Sequence, residues 1–176
     1  MPKVWRIVDL IQWSDSYFRE KSHQNPRLEI EWMLCSLLNC ERLDLYMRFD
    51  EPLSGSQLST LRGWVKRRSK NEPLQYITQS CEFYGIEFFV DKRVLIPRPE
   101  TERLIDEAIK SIKHVRSPNI FDIGTGSGCI AIALAKEIEN SNVIGIDKSI
   151  MSLQVAKKNS AELNIENVTF LEMDIL

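Results

Sequence analysis

Three glycines fall within five residues, at Gly124, Gly126 and Gly128, in the stretch D-I-G-T-G-S-G that begins at Asp122. An apolar run precedes them and an Ala/Ile-rich helix former follows. Glycines where a strand turns into a helix permit a tight bend, let a ligand approach the main chain closely, and leave helix N-terminal N–H groups aimed at an anion. A second acid, Asp147, ends the next apolar run, 19 residues beyond Gly128. A carboxylate at that position accepts from both hydroxyls of a ribose, or else caps the helix that follows it. A third acid, Asp174, ends a third run. The chemistry these residues suit is the holding of a nucleoside cofactor. A dinucleotide fingerprint would place its third glycine at 129, which is Cys129, so the spacing argues against a pyrophosphate ligand.

The elements that position these residues follow from periodicity. Short apolar runs at 119–123, 142–146 and 168–173 alternate with helical patterns at 128–139 and 149–163. Strands separated by helices pair in parallel, here as βαβαβ. The three acids then line one crevice at the carboxyl ends of three adjacent strands. Residues 1–80 read as four or five helices. Ile7, Leu10, Ile11, Ser14 and Phe18 recur at helical spacing, Asn25-Pro26 is a start signal, and Leu28, Trp32 and Cys35 share one face. Ser54 and Gln57 make a capping box, with Leu53 able to staple onto Leu58. The aromatic and β-branched stretch 82–90 reads as a hairpin around Gly85, and Pro97 and Pro99 hold the next residues extended. Glu100, Thr101 and Glu102 open a helix whose buried stripe is Leu104, Ile105, Ala108, Ile109 and Ile112. The fold class is therefore α/β: a helical domain over 1–80, a hairpin and Pro-rich linker over 81–99, and a partial nucleoside-binding α/β domain over 100–176.

Charge and composition exclude several classes. Net charge is −2; residues 1–80 carry 12 Lys/Arg against 10 Asp/Glu, and residues 81–176 carry 11 against 15. Neither part is basic enough to hold nucleic acid by phosphate neutralisation alone. The one basic cluster, Arg62, Lys66, Arg67, Arg68 and Lys70, is either a solvated helix face or a contact for an acidic or RNA-bearing partner. The Trp and Phe residues of the helical domain read as core. No apolar run approaches a membrane span, and the expected compartment is the cytosol. Four scattered cysteines and two histidines offer no metal-ligand spacing.

The loop and its acids resemble the class I S-adenosylmethionine-dependent methyltransferases. The order of a helical N-domain, F-Y-G-I-E-F from Phe83, V-L-I-P-R-P-E-T-E from Val94 and then D-I-G-T-G-S-G resembles the release factor glutamine methyltransferases, the HemK/PrmC family, over essentially the whole chain. The resemblance implies a Rossmann-like methyltransferase domain and S-adenosylmethionine as cofactor. It implies methylation of the glutamine side-chain amide in the Gly-Gly-Gln motif of peptide chain release factors. The release factor is then the partner, gripped in part by the N-domain, with nucleic acid met only indirectly through it or the ribosome, and with no membrane involved. Carried over, Asp122, Gly124, Thr125, Gly126, Ser127, Gly128, Asp147 and Asp174 form the cofactor site. Asp122 lies near the methionine ammonium, Asp147 at the ribose and Asp174 at the adenine amine. Arg98, Glu100 and Thr101 are candidates to line the active-site mouth, or else helix-start electrostatics. The family's catalytic Asn-Pro-Pro-Tyr does not occur in this sequence, so no catalytic residue is assigned. The expectation is a shortened, inactive form whose strand 119–123 is a sheet edge exposing Ile120, Phe121 and Ile123, open to self-association. Two alternatives stand beside this reading: an amino-methyltransferase for another protein or nucleic acid, and a non-catalytic partner-binding fragment.

Overall fold

The computed structural model describes residues 4–21 and 23–175; residues 1–3, 22 and 176, which the sequence reading places in its outer domains, lie outside the described residues. The chain forms two compact units, Met1–Thr78 and Gln79–Leu176.

The first unit holds helices α1 (Ile7–Glu20), α2 (Pro26–Leu38), α3 (Arg42–Met47), α4 (Gly55–Arg68) and α5 (Leu74–Thr78). Pro26 opens α2. The capping box of α4 forms as expected: Ser54 Oγ accepts from the Gln57 N–H at 3.3 Å, and Gln57 Oε1 accepts from the Ser54 N–H at 2.8 Å. Leu53 is buried in the same cluster that Leu58 packs against. Ile7, Leu10, Ile11 and Phe18 of α1 meet Ile30, Met33 and Leu34 of α2 in the core. The face expected for α2 is displaced, because Trp32 is exposed and Ile30, Met33 and Leu34 are buried. Apolar residues surround α2 on all sides, so its periodicity does not select a face; docking does. Trp13 is likewise exposed, which corrects its assignment to the core.

Glu31 is fully buried in this unit. It accepts from Arg27 Nε at 2.9 Å, Arg42 Nε at 2.6 Å and the Tyr46 hydroxyl at 2.6 Å, tying α3 to α2. Burial alone would raise its pKa, but the hydrogen bonds from Tyr46, Arg27 and Arg42 hold it below the usual carboxylate value. A buried charge persists only with such partners.

The second unit opens with an antiparallel hairpin, β1 (Ser80–Phe83) and β2 (Ile86–Phe89), followed by a 3-10 turn (Pro99–Thr101) and α6 (Glu102–Ile112). Then come β3 (Asn119–Ile123), α7 (Cys129–Glu137), β4 (Asn142–Asp147), α8 (Ile150–Glu162) and β5 (Val168–Glu172). The last three strands form one parallel sheet in the order β3-β4-β5, with Asp122 opposite Gly145 and Gly145 opposite Phe170. The hairpin is part of this unit rather than a separate linker: Phe83, Ile86 and Phe88 share one buried cluster with Ala131, Ile132, Val143 and Phe170. At the outer strand β3, Phe121 and Ile123 are exposed as expected, whereas Ile120 packs against the core.

Candidate cofactor site

The glycine turn lies between β3 and α7, at the carboxyl end of the sheet. Its backbone is left-handed at Gly124 (φ +80°) and Gly126 (φ +55°), a region where a side chain is strained. A Cβ at Gly124 would meet nothing within 4 Å, and one at Gly126 would touch only the Gly124 carbonyl at 3.9 Å. The outer faces of both glycines are therefore open. Thr125, Ser127 and Gly128 point the other way and are buried.

Four of the five N–H groups of the turn, those of Gly124, Thr125, Gly126 and Gly128, are spent internally. The Gly124 and Thr125 N–H groups both donate to the Ile146 carbonyl, at 2.8 and 2.9 Å, and Gly128 N–H donates to the Thr125 carbonyl at 2.8 Å. The Gly126 N–H donates to Asp147 Oδ2 at 3.0 Å. The turn is thus fastened to the end of β4, with the Gly126 N–H taken by the protein's own carboxylate. What it offers outward is bare main chain.

Asp147 is engaged by two backbone N–H groups, and it does not itself cap α8. Oδ1 accepts from the Ser149 N–H at 2.8 Å, steering the chain into α8, whose N-cap is Ser149 itself. Oδ2 takes the Gly126 N–H. A carboxylate has about four acceptor positions, so about two remain, enough for a vicinal diol. Met173 N–H donates to the Asp147 carbonyl at 3.1 Å, which carries the exposed Asp174 to the same end of the sheet.

Asp122 is placed differently. It lies beneath the turn, 8% exposed, where Oδ2 accepts from Thr125 Oγ1 at 2.7 Å and from the Ala131 N–H at 3.2 Å. Burial raises its pKa above the usual carboxylate value; the bonds from Thr125 and Ala131 oppose the rise, and the Asp147 charge adds to it. This geometry makes Asp122 a brace joining β3, the turn and the first turn of α7, and sets it away from the turn's open face. The buried thiol of Cys129 is pushed up to about 11 by burial, so it is protonated at neutral pH and no nucleophile.

Arg98, Glu100 and Thr101 lie at the entry to α6, with Arg98 and Glu100 exposed. The working acids of that region are Glu102, which accepts from the Tyr84 N–H at 3.0 Å, and Asp106, which accepts from the Tyr84 hydroxyl at 2.9 Å. They hold the hairpin turn against α6.

Two residues at the site gave no functional signal in the sequence. Gly145 faces the turn from β4: a Cβ there would lie 2.7 Å from Phe170 Cδ1 and 2.8 Å from Thr125 Oγ1. An isolated strand glycine marks such a close approach. Asn159 of α8 is 1% exposed. Its Oδ1 accepts from the Phe89 N–H at 2.8 Å, and its Nδ2 donates to the Phe89 and Ser127 carbonyls at 3.0 and 2.9 Å. Nothing in a helical pattern marks an asparagine for that task.

A parallel β3-β4-β5 sheet, a glycine turn after its first strand and an acid after its second define the first half of a class I methyltransferase domain. Residues 114–176 match the family model described as a methyltransferase domain, and residues 9–78 match the PrmC N-terminal domain. The release factor glutamine methyltransferase of Geobacter sulfurreducens is 43% identical over 171 residues, 97% of this chain and 59% of that protein. The enzyme of that name from Chlorobaculum tepidum is 40% identical over 180 residues, 99% of this chain and 61% of that protein. The solved structure of M. jannaschii TYW2 in complex with AdoMet overlaps at TM-score 0.43 and 21% identity, over 54% of this chain and 42% of that one, too little to carry an argument. The chain belongs to the release factor glutamine methyltransferase family, and it spans about 60% of the length of these curated relatives.

Proposed function

We propose that this chain supplies the cofactor half-site and the helical domain of a cytosolic enzyme that methylates the glutamine side-chain amide in the Gly-Gly-Gln motif of peptide chain release factors. The observation that carries the reading is the pairing of two open glycine faces with a half-engaged carboxylate, Asp147, at the carboxyl end of a parallel sheet. S-adenosylmethionine, when bound, supplies an electrophilic methyl group on a sulfonium. In this reading the main chain at Gly124 and Gly126 lies against its methionine part. The free acceptor positions of Asp147 take the ribose hydroxyls, and Asp174 is assigned to the adenine amine. Asp122, Thr125, Ser127 and Gly128 belong to the site as the buried frame that fixes the turn. Arg98, Glu100 and Thr101 are proposed to border its mouth, and the helical domain to grip the release factor.

An amide nitrogen is a weak nucleophile because its lone pair is delocalised into the carbonyl. The acceleration therefore has to come from positioning, from acceptors that hold the N–H₂ group in line with the methyl group, and from exclusion of water. The residues of this chain fix the cofactor; none of them is assigned to the amide.

Calorimetric titration of the chain with S-adenosylmethionine tests the first half of the proposal, with saturable one-to-one heat expected. Absence of saturable heat sinks it. A pull-down against release factor, compared with DNA and tRNA, tests the second half, with retention of the release factor alone expected.

A further inference from the structure

The basic run of α4 divides in the folded chain. Arg67 donates to Glu72 at 2.8 and 2.9 Å and to the Tyr76 carbonyl at 3.0 Å. Arg68 donates to Glu29 at 2.7 and 2.8 Å and to the Glu72 carbonyl at 3.1 Å. Both are clips within the helical unit. Arg62 and Lys66 are different: they stand one turn apart on α4, both are exposed, and among the described residues no ion pair uses either of them.

Beside Arg62 lies an apolar groove between α1 and α4, with a cavity volume of about 120 Å³. Leu10, Leu61 and Val65 form its buried floor, Trp5 and Trp13 its wall, and Arg62 its rim. The wall is preorganised: Trp5 meets Trp13 edge-on at 6.2 Å, and Trp13 stacks on Tyr17 at 5.3 Å. An enclosed apolar cavity of about 150 Å³ takes up benzene. An open groove slightly smaller than that has room for one branched or aromatic side chain. Exposed tryptophan beside arginine is also the composition of an interface anchor.

From these two features we infer that the α1–α4 face of the helical unit docks an acidic peptide segment. One bulky apolar side chain of the segment enters the Trp5–Trp13 groove, and carboxylates beside it meet Arg62 and Lys66. Two unpaired cations favour a carboxylate-bearing segment over a neutral or basic one. They are too few to hold nucleic acid, whose binding rests on many neutralised phosphates. The surface does not depend on the cofactor half-site.

The test is to pan a random dodecapeptide phage library on the full chain, then measure the affinity of the synthetic consensus peptide from the quenching of tryptophan fluorescence. Enrichment of Asp and Glu around a Leu or Phe is expected, with affinity falling as salt is added. R62E/K66E and W13A are each expected to weaken the consensus peptide about tenfold or more. All three positions are exposed, and circular dichroism of the variants checks that each still folds. Failure to enrich any peptide, or enrichment of basic or uncharged ones, overturns the inference. So does unchanged affinity in R62E/K66E, competition by a dT12 oligonucleotide, or sedimentation as a dimer that W13A abolishes.

Discussion

The Asp147 carboxylate reaches back from the end of β4 to take the Gly126 N–H at 3.0 Å, so the acid assigned to the ribose also fastens the glycine turn. In the proposed site, ribose recognition and turn geometry would share this one side chain. D147A is expected to weaken S-adenosylhomocysteine binding by about 1.5–3 kcal/mol, the scale of hydrogen bonds to a charged group, and to speed exchange of the Gly126 amide. Calorimetry and amide exchange read the two effects separately. Faster exchange with unchanged affinity would leave Asp147 as a clasp for the turn and remove it from the ligand.

Asp122 predicts a pH dependence. A carboxylate whose pKa is raised on folding holds its proton more firmly in the folded chain than in the unfolded one. Its contribution is fully present below the unfolded value of about 3.9 and is lost as pH rises through the folded value. D122N removes this titration while keeping an oxygen to accept from the Ala131 N–H. The stability of the natural chain relative to D122N, from urea unfolding at a series of pH values, is expected to fall as pH rises from about 4 and then level off. A difference that is flat across that range would mean that Asp122 titrates normally.

Gly145 sets two effects against each other. Alanine in a strand interior improves on glycine by limiting the unfolded chain. Here, however, a Cβ lies within 2.8 Å of the Phe170 ring and of Thr125 Oγ1. Overpacking of that kind costs about 1–3 kcal/mol, which exceeds the gain. G145A is expected to lower stability by that amount, and G145A/F170L to recover part of it in a double-mutant cycle. An alanine variant more stable than the natural chain would show that the ring moves aside freely.

Asn159 joins the hairpin to the glycine turn through three hydrogen bonds. Leucine would leave the Phe89 N–H and two carbonyls unpaired, at a cost on the order of 3 kcal/mol. Loss of protection is expected at the Phe89 amide first. N159D keeps an acceptor for that amide but turns a carboxylate toward two carbonyl oxygens. Its folded pKa is then raised, so the variant is expected to be least stable at neutral pH and to recover toward acid. Equal stability of N159D at pH 4 and pH 7 would count against the assigned bonds.

Much of this molecule is written locally. The capping box at Ser54 and Gln57 and the start of α2 at Pro26 follow from local preferences. So do the hairpin around Tyr84 and Gly85 and the alternation of strands and helices from Asn119 onward. Each depends on dihedral preferences and on contacts a few residues apart, and these are properties of short stretches. The glycine turn and Asp147 were legible for the same reason, since a strand-to-turn-to-helix pattern fixes where both must fall. The sequence alone did not decide which acid faces outward. Asp122 lies one residue before the end of its apolar run and Asp147 at the end of its own, yet α7 docks over the first and gives it the Ala131 N–H, while the second stays half-exposed at the turn. The same holds for Trp13 and Trp32, whose exposure depends on which helix faces pack, and for Asn159, whose partners lie 32 and 70 positions away. Packing between distant segments selects among side chains that local pattern treats as equivalent, because only the assembled layers determine which polar group loses water and which keeps it.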